Sequence, residues 1–147
     1  MEAYIGTKLI NAKAMNRLEY NKFRGWELPK DENGTDEGYL VEYTDGGEVN
    51  TSEYEGYVSW SPKNVFEKAY KASGELSFGA AIELLKQGRK VARKGWNDMF
   101  LFLDTSSTFN VNNPPQPCII MKTADGRVVP WLASQSDMLD TGWVIIS

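Results

Sequence analysis

Histidine is absent from all 147 residues. With it go the commonest general base, the commonest transition-metal ligand and every Ser-His or Cys-His nucleophile pair. Cysteine occurs once, as Cys118, so one chain can form neither an internal disulfide nor a thiolate zinc site. Cys118 lies in the apolar run Pro117-Cys118-Ile119-Ile120-Met121, where a small buried hydrophobe is the expected role. Long apolar runs are missing too. Stretches such as Met99 to Leu103 and Cys118 to Met121 fall far short of the roughly 20 residues that span a membrane. The start, Met1-Glu2-Ala3-Tyr4-Ile5, has neither the basic opening nor the apolar centre of a signal peptide, so an intracellular location is expected. Asp45-Gly46-Gly47 has no following helix with Lys and Ser/Thr, which excludes a phosphate loop. The acidic run Asp31, Glu32, Asp36, Glu37 lacks the alternation and placed glycine of a calcium loop. No metal and no cofactor is expected, and an enzyme would have only carboxylates such as Asp98 and Asp137 to work with.

An excess of positive charge is also lacking. The formal net charge is -4. Residues 1 to 72 carry nine Lys/Arg against thirteen Asp/Glu, and residues 73 to 147 carry seven against seven. A DNA or RNA polymer is therefore not an expected partner, because phosphate neutralisation supplies most of such affinity.

What is present is enough apolar material for a core: 41% hydrophobic residues and 12% aromatic. The patterning predicts an α+β protein of two small modules, each of mostly antiparallel sheet with short packed helices. In the first, residues 1 to 72, the alternation from Tyr4 to Ile10 predicts a strand. Asn16-Arg17-Leu18-Glu19 reads as a capping box opening a helix over 17 to 24 that Gly25 ends. A polar loop spans Glu27 to Glu37, and strands follow at Tyr39 to Tyr43 and Gly56 to Trp60, with a turn at Thr44-Asp45-Gly46-Gly47. Ser61-Pro62 reads as an N-cap and first helical residue, with Val65, Phe66, Ala69 and Tyr70 on one face. Ser73-Gly74 is the expected joint to the second module, residues 73 to 147. There Ser77 caps a helix with Phe78, Ala81, Ile82 and Leu85 at helical spacing, and Gly88 closes it. Strands are predicted at Arg89 to Lys94, Met99 to Leu103, Cys118 to Lys122, Arg127 to Pro130 and Gly142 to Ile146. A long loop from Asp104 to Pro117 and a short capped helix after Ser134 complete the module.

Two stretches of the second module have candidate binding chemistry. Trp96 and Asn97 sit in a turn just after Arg93 and Lys94. An exposed indole stacks on a base, an amide reads its edge and a cation meets phosphate; the alternative is that Trp96 plugs the core behind the hairpin. Pro130 to Asp137 places Trp131 ahead of a helix start whose amides, with Ser134, Gln135 and Ser136, form an anion site; the alternative is that Ser134 and Asp137 only cap that helix. Lys86, Arg89, Lys90, Arg93 and Lys94 make a local basic patch or a solvated face.

The second half also resembles a known family. The resemblance is carried, over roughly residues 75 to 147, by Leu76-Ser77-Phe78-Gly79-Ala80-Ala81, by Gly88-Arg89-Lys90-Val91-Ala92-Arg93-Lys94-Gly95-Trp96-Asn97 and Met99-Phe100-Leu101, and by Met121-Lys122-Thr123-Ala124-Asp125-Gly126. It continues through Pro130 to Leu139 and ends at Asp140-Thr141-Gly142-Trp143. These blocks resemble the second Thoeris anti-defence family of phage sponges, which sequester the cyclic ADP-ribose signal of a bacterial TIR-domain enzyme. The resemblance implies a host-cytoplasmic homotetramer with pockets between protomers and binding without hydrolysis. Cyclic oligonucleotides of the CBASS type are a possible second ligand at separate sites. It also implies ligand contacts at Trp96, Asn97, Ser134, Gln135 and Asp137, to which the residue chemistry adds Arg93 and Trp131. A phage module of unknown role precedes the resembling half. From a different class, the alternative reading is a phage structural or protein-interaction module with no small-molecule ligand.

Overall fold

The computed structural model describes residues 1–106 and 116–147, so most of the long loop expected from Asp104 to Pro117 lies outside the described residues. The chain divides into two compact units, Met1–Tyr70 and Lys71–Ser147. Each contains one wholly antiparallel sheet with short helices, the α+β class that the patterning predicts.

The first unit runs β1 (Ile10–Ala14), α1 (Arg17–Arg24), β2 (Gly38–Tyr43), β3 (Tyr57–Pro62) and α2 (Lys63–Ala69), with sheet order β1-β2-β3. Helix α1 forms where its cap dictates. The Glu19 amide donates to Asn16 Oδ1 at 2.8 Å, and the Asn16 amide donates back to the Glu19 carboxylate at 2.8 Å. Two of the amides that every helix start leaves open are thereby satisfied. Gly25 ends the helix at φ 71°, a left-handed conformation open to glycine without a Cβ clash. The face so positioned lays Tyr20 on Leu40 and Val58, and Met15, Phe23, Tyr54 and Trp60 pack around them.

Two features of this unit differ from the sequence expectation. The first strand begins at Ile10 rather than Tyr4, and Tyr4 and Ile5 are 85% and 99% exposed. Alternation is permissive for a strand but does not supply a partner. The β1–β2 ladder ends with Ile10 opposite Tyr43, beyond which β2 does not continue. Ser61 and Pro62 belong to β3 rather than opening α2, and Pro62 stands at the N-cap position without a side-chain cap. Pairing of Gly38 with Pro62 and the hydrogen bond from the Lys63 amide to the Glu37 carbonyl hold these residues in the sheet. Val65 is consequently exposed, whereas Phe66 stacks on Tyr39 and Tyr70 at ring separations of 4.1 and 5.1 Å. As the predicted strand positions require, β2 and β3 are joined by a long connection, residues 44–56, in which Gly46 and Gly47 take φ 113° and 111°. The buried Glu42 carboxylate secures that connection by accepting from Asn11 Nδ2 and from the amides of Glu55 and Gly56, each at 3.1 Å. The Asn11 amide first, then the Gly56 backbone, holds Glu42 below the usual carboxylate range despite its burial.

The second unit runs α3 (Phe78–Lys86), β4 (Val91–Arg93), β5 (Phe100–Asp104), β6 (Cys118–Lys122), β7 (Val128–Pro130), α4 (Gln135–Leu139) and β8 (Trp143–Ile145). The sheet order is β7-β6-β5-β4-β8. Ser77 Oγ accepts from the Ala80 amide and opens α3, and Gly88 follows its end at φ 80°. The helix buries Ala81, Leu84 and Leu85 while packing on β4, β5, β8 and α4. Beneath it Val91, Leu101 and Trp143 are fully enclosed. Truncating such a tryptophan to alanine costs about 3–5 kcal/mol, so the core depends heavily on this one ring. The two edges of the sheet differ. Along β8 the Gly74 amide donates to the Trp143 carbonyl, the Trp143 amide to the Leu76 carbonyl and the Ile145 amide to Ser73 Oγ. The segment from Ser73 to Leu76 therefore covers that edge, whereas all three residues of β7 are exposed.

Gly38 gives the fold a direct test. A Cβ there would overlap the Ser61 carbonyl oxygen and the Trp60 indole, while Trp60 is itself pinned by a 2.7 Å hydrogen bond from Nε1 to the Met15 carbonyl. Gly38→Ala is expected to destabilise the first unit by about 2 kcal/mol or more. Urea unfolding followed by circular dichroism measures this, and a loss below about 0.5 kcal/mol would mean that the sheet opens easily to admit the methyl group.

Candidate functional site

The two candidate stretches, nearly forty residues apart in sequence, meet around Trp143. Gly95 at φ 91° and Asp98 at φ 56° shape the turn after β4, and the Trp96 amide donates to the Arg93 carbonyl. This turn sets Trp96 edge-on against both Trp143, at 5.7 Å and 72°, and Trp131, at 6.3 Å and 73°. Trp131 meets Trp143 at 6.2 Å and 82°, and Phe78 lies within 6.2 Å of Trp131 and 5.5 Å of Trp143. Edge-to-face contacts of this kind suit the ring quadrupoles and are worth about 0.5–1.5 kcal/mol each beyond the area they bury.

Trp96 is accordingly half-buried rather than fully exposed. Both readings of the sequence meet in it, because it plugs the aromatic cluster on one side and keeps surface free on the other. Asn97, beside it, is exposed, and no hydrogen bond fixes its side chain among the described residues.

Beneath the rings lies a carboxylate network. Asp137 is buried, and its Oδ2 accepts from the Ser134 amide and hydroxyl at 2.8 Å each. Its Oδ1 takes the Arg93 guanidinium at 3.0 Å. The Asp137 amide returns a hydrogen bond to Ser134 Oγ at 3.2 Å, completing a capping box at the start of α4. The Asp137 carbonyl also accepts from Trp143 Nε1 at 3.1 Å. Burial pushes the Asp137 carboxyl up, but the Ser134 donors and then Arg93 outweigh it and hold the group below the usual carboxylate range.

Arg93 also reaches Asp140 at 3.4 Å, and Asp140 in turn accepts from the Gly142 amide at 3.1 Å. The guanidinium is thus engaged by two carboxylates, and its position is that of a strut joining β4 to α4. An anion site at the start of α4 is opposed by the same geometry. The helix has only five residues, and the negatively charged Asp137 occupies its first turn. Ser134, Gln135 and Ser136 are exposed, with the hydroxyls of Ser134 and Ser136 2.9 Å apart.

The structure therefore brings Arg93, Trp96, Trp131, Ser134 and Asp137 together, with Asn97 and Gln135 at the surface beside them. The basic patch does not act as a unit. Lys86 pairs with Glu83 at 3.0 Å, Lys90 lies 5.0 Å over the Phe100 ring, and Arg93 is held in its carboxylate network. Sequence reasoning missed Trp143 and Asp140. Asp140 stands three residues beyond Asp137, the spacing that places two carboxylates within reach of one guanidinium, and that was the available signal. Among the described residues no group of three or more Cys, Asp or Glu converges on a metal position, and no helix is long and apolar enough to cross a membrane.

Five antiparallel strands with two short helices, and a tryptophan triad seated beside a partly buried Arg–Asp pair, define a small α+β domain of a specific type. Residues 76–146 match the Thoeris anti-defense 2-like domain, and the match falls wholly inside the second unit. The chain is also 44% identical over 86 residues to Thoeris anti-defense 2 of Bacillus phage SP01, an alignment covering 50% of this chain and 97% of the relative. This chain belongs to the Thoeris anti-defence 2 family, and its role is in phage anti-defence.

The lowered pKa of Asp137 gives a stability test. A group whose folded pKa lies below its unfolded value stabilises the fold above the unfolded value and loses that contribution as pH falls through the folded one. The second unit is expected to hold its stability near neutrality and to lose part of it below about pH 4, the ordinary aspartate range. Asp137→Asn should flatten this acid limb in denaturation curves collected from pH 7 to 2. An unchanged limb would mean that other carboxylates produce it.

Proposed function

We propose that the second unit binds a nucleotide-type immune signal and holds it chemically unaltered, so that the defence effector is deprived of its activator. The observation that carries this reading is the half-exposed Trp96, fixed edge-on by Trp131 and Trp143 and bordered by Asn97 and the exposed polar run Ser134 to Ser136. A ring held in one orientation loses little freedom on stacking against a base, which favours binding. Trp96 and Trp131 supply stacking surface, Asn97, Ser134 and Gln135 the polar contacts, and Arg93 with Asp137 the rigid support. The ligand class proposed first is a cyclic ADP-ribose isomer made by a TIR-domain enzyme, with CBASS-type cyclic oligonucleotides as a possible second ligand at separate sites.

Binding of this kind proceeds in the host cytoplasm and without catalysis. The absence of histidine supports that reading, as does the commitment of Asp137 to a structural ion pair. A homo-oligomer, a tetramer by family resemblance, completes the pocket in this proposal. Leu132 and Leu139 are 92% and 77% exposed on the stretch that includes Ser134 to Asp137. Apolar side chains left in water next to a ligand surface favour a second copy of the chain as their cover.

The test is retention. The purified protein is incubated with the product of an activated Thoeris TIR enzyme, freed of unbound ligand and heat-denatured, and the released compound is identified by mass spectrometry. Recovery of the unaltered signal is the expected result. A converted product would mean catalysis, and no retained compound would favour CBASS-type nucleotides or a protein-interaction role. Trp96→Ala is expected to weaken binding about tenfold or more while the far-UV circular dichroism stays unchanged, since base–aromatic stacking contributes about 1–3 kcal/mol. Full affinity in that folded variant would remove Trp96 from the site.

A further inference from the structure

The first unit holds a groove on which the proposed function does not draw. It is an open cavity of about 600 Å³ between α1, the loop that follows it and β3. That volume lies within the roughly 300–1,000 Å³ of small-ligand sites. Arg17 and Arg24 both line it. They are seven residues apart on α1, two helical turns, and so share a face. Each guanidinium lies 4.5 Å from an indole, Arg17 over Trp60 and Arg24 over Trp26.

The two cations differ in what neutralises them. Arg17 sits between Glu32 at 3.3 Å and Asp36 at 3.5 Å. Arg24 donates to the Tyr20 hydroxyl at 3.1 Å, and among the described residues no carboxylate pairs with it. Arg24 is therefore aimed by an indole and a phenol while its charge is left without a counter-ion among the described residues, in a wall where two carboxylates already neutralise the charge of Arg17. Trp26, beside it, is 52% exposed and is anchored at its edge by Tyr20, 6.1 Å away at 79°. A fixed cation next to a half-exposed indole matches a compound that carries an anionic group and a flat ring. The acidic excess of residues 1 to 72, thirteen Asp/Glu against nine Lys/Arg, disfavours a long polyanion but leaves room for one phosphate at Arg24.

We propose that this groove binds a small anionic ligand of the nucleoside monophosphate class, with its phosphate on Arg24 and its base against Trp26. The experiment is calorimetric titration of the full chain with AMP, GMP, CMP and UMP. At least one is expected to bind at one site per chain. The matching nucleoside and inorganic phosphate should each bind about tenfold more weakly or worse, because each keeps only half of the recognition. Arg24→Gln, which removes the charge while keeping a polar side chain on the helix, and Trp26→Ala should each reduce affinity about tenfold or more. Trp96→Ala, which alters the second unit, should leave it unchanged. The proposal is overturned if none of the four binds at millimolar concentration, if binding survives Arg24→Gln in a chain of unchanged circular dichroism, or if it disappears in Trp96→Ala.

Discussion

The second unit depends on a single buried carboxylate. Removing Asp137 from water costs several kcal/mol unless its charge is met. The Ser134 amide, the Ser134 hydroxyl and the Arg93 guanidinium meet it. These partners lie on different elements, so neutralising the charge fixes β4 against the start of α4. The Asp137 carbonyl then receives the Trp143 indole N–H, which orients the ring on which Trp96 and Trp131 lean. Removing any one partner leaves the buried Asp137 carboxylate short of a donor for its charge. The aromatic surface that the anti-defence role is proposed to use is in this sense set from below by electrostatics.

The first unit solves a similar problem with Glu42. There a carboxylate at the sheet gathers Asn11 from β1 and the two amides that lead into β3. Among the described residues no cation pairs with it. Amide donors alone keep the group ionised, and the long connection between β2 and β3 is held by charge-assisted hydrogen bonds instead of turn geometry. Both units thus place one acid where strands and connections converge, but only the second adds an arginine and with it a rigid link to a helix.

Local chemistry was legible in the sequence. The Asn16–Glu19 capping box, the glycine at position 25 and the Ser77 cap were readable because all their partners lie within a few residues, and the strands Cys118 to Lys122 and Arg127 to Pro130 because they are near neighbours in the chain. The elements that moved had distant causes. Where β1 begins depends on where β2 stops, and whether Ser61 caps a helix depends on whether Gly38 captures it in a ladder. The candidate site divides in the same way. Trp96, Asn97, Trp131 and Ser134 announced themselves as turn and cap residues. That Trp143 would seat the other two tryptophans, and that Asp140 would share Arg93 with Asp137, required knowing that β8 pairs with β4.

That pairing also leaves the five-stranded sheet with unequal sides. Segment Ser73 to Leu76 occupies the free flank of β8, while among the described residues nothing pairs with the outer side of β7, whose three residues are exposed. A sheet with one free flank can be extended by a copy of itself only once, since the two open strands consume each other when they meet. Growth by strand addition then ends in a closed, two-fold pair and cannot propagate into a fibre.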